Sequence, residues 1–401
     1  MYRQEHPNPQ FMRTRYRSLN GAWQFTVPTD GEPFTHSIEV PFCPESKLSG
    51  IGYTDFIREC EYRRTVAIEK PAEGERVVLH FGAVDYEAHV YVNGRFVGKH
   101  RGGYTPFAFD IAPYVEEGDN EILVKVYDDT SDNVPSGKQS ARRESYGCFY
   151  TRTTGIWQPV WLERTPRRYV RGIKYFTHPL ESRVDVELCV EGEGEAEIVI
   201  SYEGREVGRA QGALQYKKTF PIELSERQLW EPGEGRLYDV TVKYACDEVS
   251  SYFGLRDVRY EGRKFLVNGK SVFQRFVLDQ GYYPDGLYTA RDDAAMVRDI
   301  ELGFRLGFNG ARLHQKIFEP RFLYHCDRLG YMVWGEFPSW GVRYEDLEAL
   351  GDVLGEWAAA VERDCNHPSI VTWCPLNETW ENLDDASKVR DVRFVDAVYE
   401  A

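Results

Sequence analysis

The chain has no paired-cysteine signature. Its eight cysteines, Cys43, Cys60, Cys148, Cys189, Cys246, Cys326, Cys365 and Cys374, are scattered, with no C-x-x-C pair and no Cys/His spacing of a structural zinc site. That pattern reads as free thiols in a reducing compartment, and a cytoplasmic location is expected. No run of about 18 apolar residues is present, so no membrane-spanning helix is expected. The opening stretch MYRQEHPNPQFMRTRYRSLNG has no apolar core of a secretory signal. Neither G-x-x-x-x-G-K-[ST] nor G-x-G-x-x-G occurs, which removes the two common nucleotide-binding fingerprints. Positive charge is also short: 49 Lys and Arg against 64 Asp and Glu give a formal net charge of -15. A nucleic-acid partner is therefore not expected.

What is present is a globular composition, 42% hydrophobic over 401 residues, too long for one ordinary core. Residues 1–165 read as a jelly-roll β-sandwich. RVVLHFGAVDYEAHVYVNGRFVGKH alternates apolar and polar positions, and Asn93-Gly94 is a strong hairpin signal. A long polar loop from Ser131 to Thr154 interrupts this region, and loops of that length often serve function. The string RTPRRYVRG marks a boundary near Pro166. Residues 166–256 continue as strands, of the size of an immunoglobulin-like sandwich, with no catalytic constellation.

From residue 257 to 401 the texture changes to strand–helix alternation, which predicts a parallel sheet. RDDAAMVRDIELGFRLG places Met296, Val297, Ile300 and Phe304 on one helical face, with Thr289 as its expected cap. PRFLYHCDRLG is a helix stopped by Gly330, and helix begins again near Ser387. Four such units fit an open α/β sheet or half of a (β/α)8 TIM barrel. In βα units the functional groups collect at the carboxyl ends of the strands. Those ends carry Asp279 and Gln280, then Arg312 and His314, then Glu336 with Trp340, then Asn377 and Glu378 with Trp380. Singly, each has an ordinary structural reading: His314 as a bonded core histidine, Arg312 as an ion-pair partner of Glu336, Glu378 as a helix-terminal carboxylate. Together they predict one polar concavity with aromatic walls, suited to a sugar. Glycoside hydrolysis needs a carboxylic acid that stays protonated, and Trp373 and Leu376 are expected to shield Glu378 for that role.

RDCNHPSIVTWCPLNETW resembles the signature of glycoside hydrolase family two, which contains β-galactosidases, β-glucuronidases and β-mannosidases: R-D-x-N-H-P-S-I-x-x-W-x-x-x-N-E, matched from Arg363 to Glu378. GARLHQ, FLYHCDRLGYMVWGE, SLNGAWQF and GIWQPVWLE resemble further family segments. The resemblance implies a retaining exo-β-glycosidase of the β-galactoside or β-glucuronide class. It implies Glu378 as general acid/base, Asn377 on the sugar 2-hydroxyl, and Arg312 and His314 lining the subsite. No cofactor is required. Some relatives use magnesium or sodium, for which no dedicated ligand set is readable here. Homo-oligomers are frequent in such proteins, with no interface legible.

Two departures stand out. VLDQGYYPDG replaces the N-R-H-E that many members carry, so Gln280 stands where a substrate-facing histidine is usual. The family's nucleophilic glutamate belongs near a seventh barrel strand, beyond residue 401, so the sequence is expected to be an inactive, truncated fragment. The alternative expectation is a non-catalytic carbohydrate-binding protein that uses its jelly roll.

Overall fold

The computed structural model describes residues 3–28, 32–129, 133–379 and 391–401. Alternating apolar residues build the first layer pair. A 4-stranded antiparallel sheet contains Val160–Thr165 and Arg76–Phe81 at its centre, and a 6-stranded sheet contains Glu59–Ile68 and Gly118–Tyr127 at its centre. The inward residues of both, among them Trp23, Phe25, Tyr62, Leu79, Phe81, Val90, Val124 and Leu162, form one buried core. The Asn93-Gly94 turn takes positive φ at both residues (50° and 74°), the geometry that a two-residue hairpin requires.

The next sheet is 5-stranded and depends on two very long partners, Arg183–Tyr202 and Arg205–Glu223. Their register shifts between Cys189 and Glu193. On one side of that irregularity the first long strand pairs with Val170–His178, and on the other with Tyr238–Tyr244. One bent hairpin thus feeds two layers around a core that includes Val186, Leu188, Ile198, Phe220, Tyr238 and Phe253.

After a short antiparallel sheet closed by Asn268-Gly269, the chain alternates strand and helix. Phe276–Asp279, Gly310–Leu313, Met332–Glu336 and Ile370–Cys374 form a 4-stranded parallel sheet in sequential order. Helices α1 (Asp293–Arg305), α2 (Pro320–Leu329) and α3 (Leu350–Asp364) follow the first three strands, and α4 (Val392–Glu400) follows the fourth. Helix α1 buries Met296, Ile300 and Gly303. Its cap is Asp292, whose carboxylate accepts from the Ala295 N–H at 2.9 Å, and not Thr289 as expected. The Thr289 hydroxyl is fully buried and already donates to the Trp157 carbonyl. Helix α2 starts at Pro320 and ends at Gly330 in the left-handed conformation. The expected helix start at Ser387 lies outside the described residues.

The three regions share packing. Cys43, Ala83, Tyr104 and Trp157 of the first sandwich form one core with Tyr288, Ile317, Phe337, Val353 and Trp357. On the other side, buried Asp327 on α2 accepts from the Tyr252 hydroxyl (2.7 Å), from His367 Nδ1 (2.6 Å) and from the Ser369 N–H (2.9 Å). Asn366 accepts from the Tyr175 N–H at 3.0 Å and donates to the Ile173 carbonyl at 2.7 Å. Within the signature, Asn366 bonds the second sandwich directly, His367 and Ser369 bond the Asp327 that also takes the Tyr252 hydroxyl, and Ile370–Cys374 forms the fourth strand. All eight cysteines are free, and no helix among the described residues is long and apolar enough to cross a membrane.

Candidate active site

Parallel register decides which strand-end residues meet. Leu278 pairs with Arg312 and Asp279 with Leu313. Paired residues share a face, so Arg312 and Asp279 lie on opposite faces of the sheet. Leu313 and Val277 belong to the core packed against α1 and α2. Asp279 is therefore turned to the helices and leaves the expected sugar cluster. Its carboxylate accepts from the Gly281 N–H at 2.9 Å. Burial raises its pKa, opposed by that bond and by the Lys316 charge. Gln280 is half-buried and its side chain makes no hydrogen bond among the described residues. Trp380 lies outside the described residues.

Glu336 organises the other face. Its side chain is fully buried, with one oxygen 2.5 Å from Arg312 Nε and the other accepting from His314 Nδ1 (2.7 Å) and the Gln315 N–H (3.0 Å). A buried carboxylate is stable only with such complete pairing. Burial works against the Arg312 charge, but the bond to Glu336 and its charge outweigh this and hold the guanidinium's pKa above its ordinary value. Cys374, beside them, is pushed up to about 11 by burial and by Glu336, so it remains a neutral thiol.

Arg312 reaches further, donating to Asn377 Oδ1 at 2.6 Å. The Asn377 N–H donates to Ser339 Oγ (3.1 Å), and its carbonyl accepts from Trp340 Nε1 (3.3 Å). Asn377 is 7% exposed and its Nδ2 has no partner among the described residues. An amide fixed by its oxygen, with its N–H groups unspent, is a donor still available to a further acceptor.

Glu378 follows with φ 53°, a left-handed conformation unusual for glutamate. The pair does not end the strand, which stops at Cys374; it sits on the loop beyond. Glu378 is exposed, so the expected shielding is not in place. Trp373 packs edge-on against Trp357 at 5.7 Å, and Leu376 packs against the core shared with the first sandwich. The Tyr344 hydroxyl donates to the Ser339 carbonyl at 3.1 Å, and burial, opposed by its bond to Ser339 and aided by the charges of Glu336 and Glu378, raises its pKa.

The first sandwich completes the mouth. Its long loop lies against the segment after the third parallel strand. The Ser136 and Gly137 N–H groups donate to the Trp340 carbonyl at 2.8 and 3.0 Å, and Asn133 bonds Asp346 at 2.8 Å. Lys138 Nζ sits 3.6 Å from the Trp340 ring centre, with Phe149 against the same indole at 5.4 Å. His314 meets Trp340 edge-on at 6.3 Å. The structure thus brings Arg312, His314, Trp340 and Asn377 together, with Glu378 adjoining. Sequence reasoning missed Lys138, Gln315, Ser339 and Tyr344; the length of the loop was the one available signal for Lys138. Among the described residues no group of three or more His, Cys, Asp or Glu is arranged to hold a metal ion.

Comparison with known proteins identifies two matching family models: "Glycosyl hydrolases family 2, sugar binding domain" over residues 54–166, and "Glycosyl hydrolases family 2" over residues 175–256. A β-galactosidase of Thermoanaerobacter pseudethanolicus is 25% identical over 82% of this chain and 46% of its own length. A β-glucuronidase of Paenibacillus borealis is 26% identical over 92% of this chain and 69% of its own. The chain thus spans about half the length of that β-galactosidase. The β-D-glucuronidase structure of Dictyoglomus thermophilum superposes on all of this chain and 72% of its own, with TM-score 0.79 and 22% identity. That of Ruminococcus gnavus covers all of this chain and 71% of its own, with TM-score 0.80 and 21% identity. These two likenesses concern the fold.

Proposed function

We propose, for a chain that belongs to glycosyl hydrolase family 2, that its parallel sheet is the first half of a (β/α)8 barrel and that it supplies the acid/base end of a retaining exo-β-glycosidase. The substrate is a terminal β-linked sugar of the galactoside or glucuronide class, as the relatives' names suggest. The observation that carries this reading is the pairing of a locked donor with an exposed carboxylate. Arg312 fixes the Asn377 carboxamide through its oxygen and leaves its Nδ2 without a partner among the described residues, and the next residue, Glu378, is left unburied beside it.

In this reading Asn377 holds the sugar hydroxyl next to the anomeric carbon. Glu378 gives its proton to the departing oxygen and later takes one from water. The proton of the exposed Glu378 must be retained when the bound sugar and aglycone cover it. Retention also needs a nucleophilic carboxylate about 5–5.5 Å away. Glu336 does not serve, because both of its oxygens are committed to Arg312, His314 and Gln315. We assign no nucleophile among the described residues.

The test is Glu378→Gln in the full-length protein, assayed on aryl β-glycosides. Turnover on poor leaving groups should fall by about two to four orders of magnitude, with a much smaller loss on dinitrophenyl leaving groups that need no protonation. Unchanged turnover on poor leaving groups overturns the role.

A further inference from the structure

We infer that Lys138, supplied by the first sandwich, reads a carboxylate on the terminal sugar, and that the substrate is accordingly a β-uronide. This rests on the glycosidase reading above and adds to it a specificity-determining residue from a different region of the chain.

The argument begins with an ammonium that lacks an anion. Lys138 is 5% exposed, yet among the described residues no carboxylate or carbonyl accepts from its Nζ. Its Nζ lies over two aromatic rings, Trp340 at 3.6 Å and Phe149 at 5.9 Å. The contrast with Lys316 is direct. That lysine is as deeply buried and also lies over aromatic rings, but it donates to the carbonyls of Gly281 and Tyr288, each at 2.7 Å. A cation over an indole recovers part of the hydration it loses, and an ammonium whose tip keeps access to solvent and has no anionic partner among the described residues is open to the negative charge of a ligand.

Position supplies the second observation. The ring beneath Lys138 is the one that donates to the Asn377 carbonyl and faces the edge of His314. One indole therefore contacts both the Lys138 ammonium and the backbone of Asn377, whose side-chain amide is unpartnered among the described residues. The other mouth cation, Arg312, is neutralised by Glu336. Nor is Lys138 a loose tail. Its own carbonyl accepts from the Tyr150 N–H at 2.8 Å, and the two residues before it are tied to Trp340. A rigid, unspent cation beside a rigid, unspent amide fits a sugar with hydroxyls at one end and an ionised carboxylate at the other.

The experiment compares wild type with Lys138→Met, which keeps the apolar stem on Trp340 and removes the charge, in the full-length protein. Two readouts are taken: kcat/KM on 4-nitrophenyl β-D-glucuronide and β-D-galactoside, and tryptophan quenching by D-glucuronate. The expected result is a loss of about 10–100-fold on the glucuronide, the scale of one charge-assisted bond, with less than about threefold change on the galactoside. Saturable quenching by glucuronate in wild type should vanish in the variant. Equal losses on both substrates, or no glucuronate binding by wild type, overturns the assignment. Glucuronate binding that depends on Lys138 without hydrolysis of any glycoside upholds Lys138 and counts against the proposed function instead.

Discussion

Arg312 joins a strand residue to a loop residue: its Nε lies 2.5 Å from Glu336, and a terminal nitrogen lies 2.6 Å from Asn377 Oδ1. Glu336 is thus the anchor of a chain that ends at the residue before Glu378. Glu336→Gln removes the counter-charge from Arg312 and a full acceptor from His314 and Gln315. Breaking one side of a buried pair costs about 3–5 kcal/mol. Urea unfolding should show a destabilisation of that order, with turnover reduced further by release of Asn377. A variant as stable as wild type contradicts this account of the cluster.

The loop from the first sandwich makes its closest approach at Gly137. Its φ is 59°, and a Cβ there would stand 2.3 Å from the Gln315 carbonyl oxygen. Gly137→Ala should push Lys138 and Trp340 apart while leaving both sandwich cores intact. Kinetics on an aryl glycoside should show kcat/KM lowered by about ten- to hundredfold, the scale of a misplaced contact, with little change in thermal midpoint. Full activity would mean that the loop does not position the mouth.

Glu356 on α3 is buried against the first sandwich, where it accepts from the Tyr104 N–H at 3.0 Å and abuts Gly102. Burial, aided by the charge of Asp352 and opposed by the Tyr104 bond, raises its pKa to about 8, from 4.5 in an exposed glutamate. The folded state therefore keeps a proton that the unfolded state releases, and stability falls as pH rises from about 4.5 to about 8. Glu356→Gln lacks this penalty. Its stability advantage should be near zero at pH 4, grow through that window, and level off above it at a few kcal/mol. Denaturant unfolding at several pH values measures it, and a difference that does not vary with pH removes the linkage.

Asp327→Ala should separate the second sandwich from the sheet without touching the mouth directly. It removes the shared acceptor of the Tyr252 hydroxyl, His367 and the Ser369 N–H and leaves the first two only their long 3.4 Å contact with each other. A loss of about 3 kcal/mol or more is expected, with faster proteolysis between the second and third regions than within either. Wild-type resistance to protease would refute the docking role.

The alternation of strand and helix was legible because apolar periodicity changes from 2 to 3.6 along the chain. The limits of Met332–Glu336 and the stop at Gly330 follow from residues that carry their own local reasons. Asp279 was not legible in this way. Which face a strand-end residue joins depends on the register between neighbours, and that pairing of Leu278 with Arg312 is a property of two strands. Thr289 is a good capping residue by type, but its hydroxyl is taken by a carbonyl 132 positions away. Lys138 carries no local pattern at all, since its meaning comes only from Trp340. The shielding assigned to Glu378 failed because Trp373 and Leu376 are used for packing the core beneath it.

Asn366 has a consequence beyond docking. The strand Val170–His178 is the first in its sheet's order and has no second strand partner among the described residues. By taking up the Tyr175 N–H and the Ile173 carbonyl, one carboxamide imitates a neighbouring strand for the length of a single residue. Two groups that could zip onto another copy are thereby spent in cis, so the stretch of chain leading to Glu378 also works as a stopper against edge-to-edge aggregation.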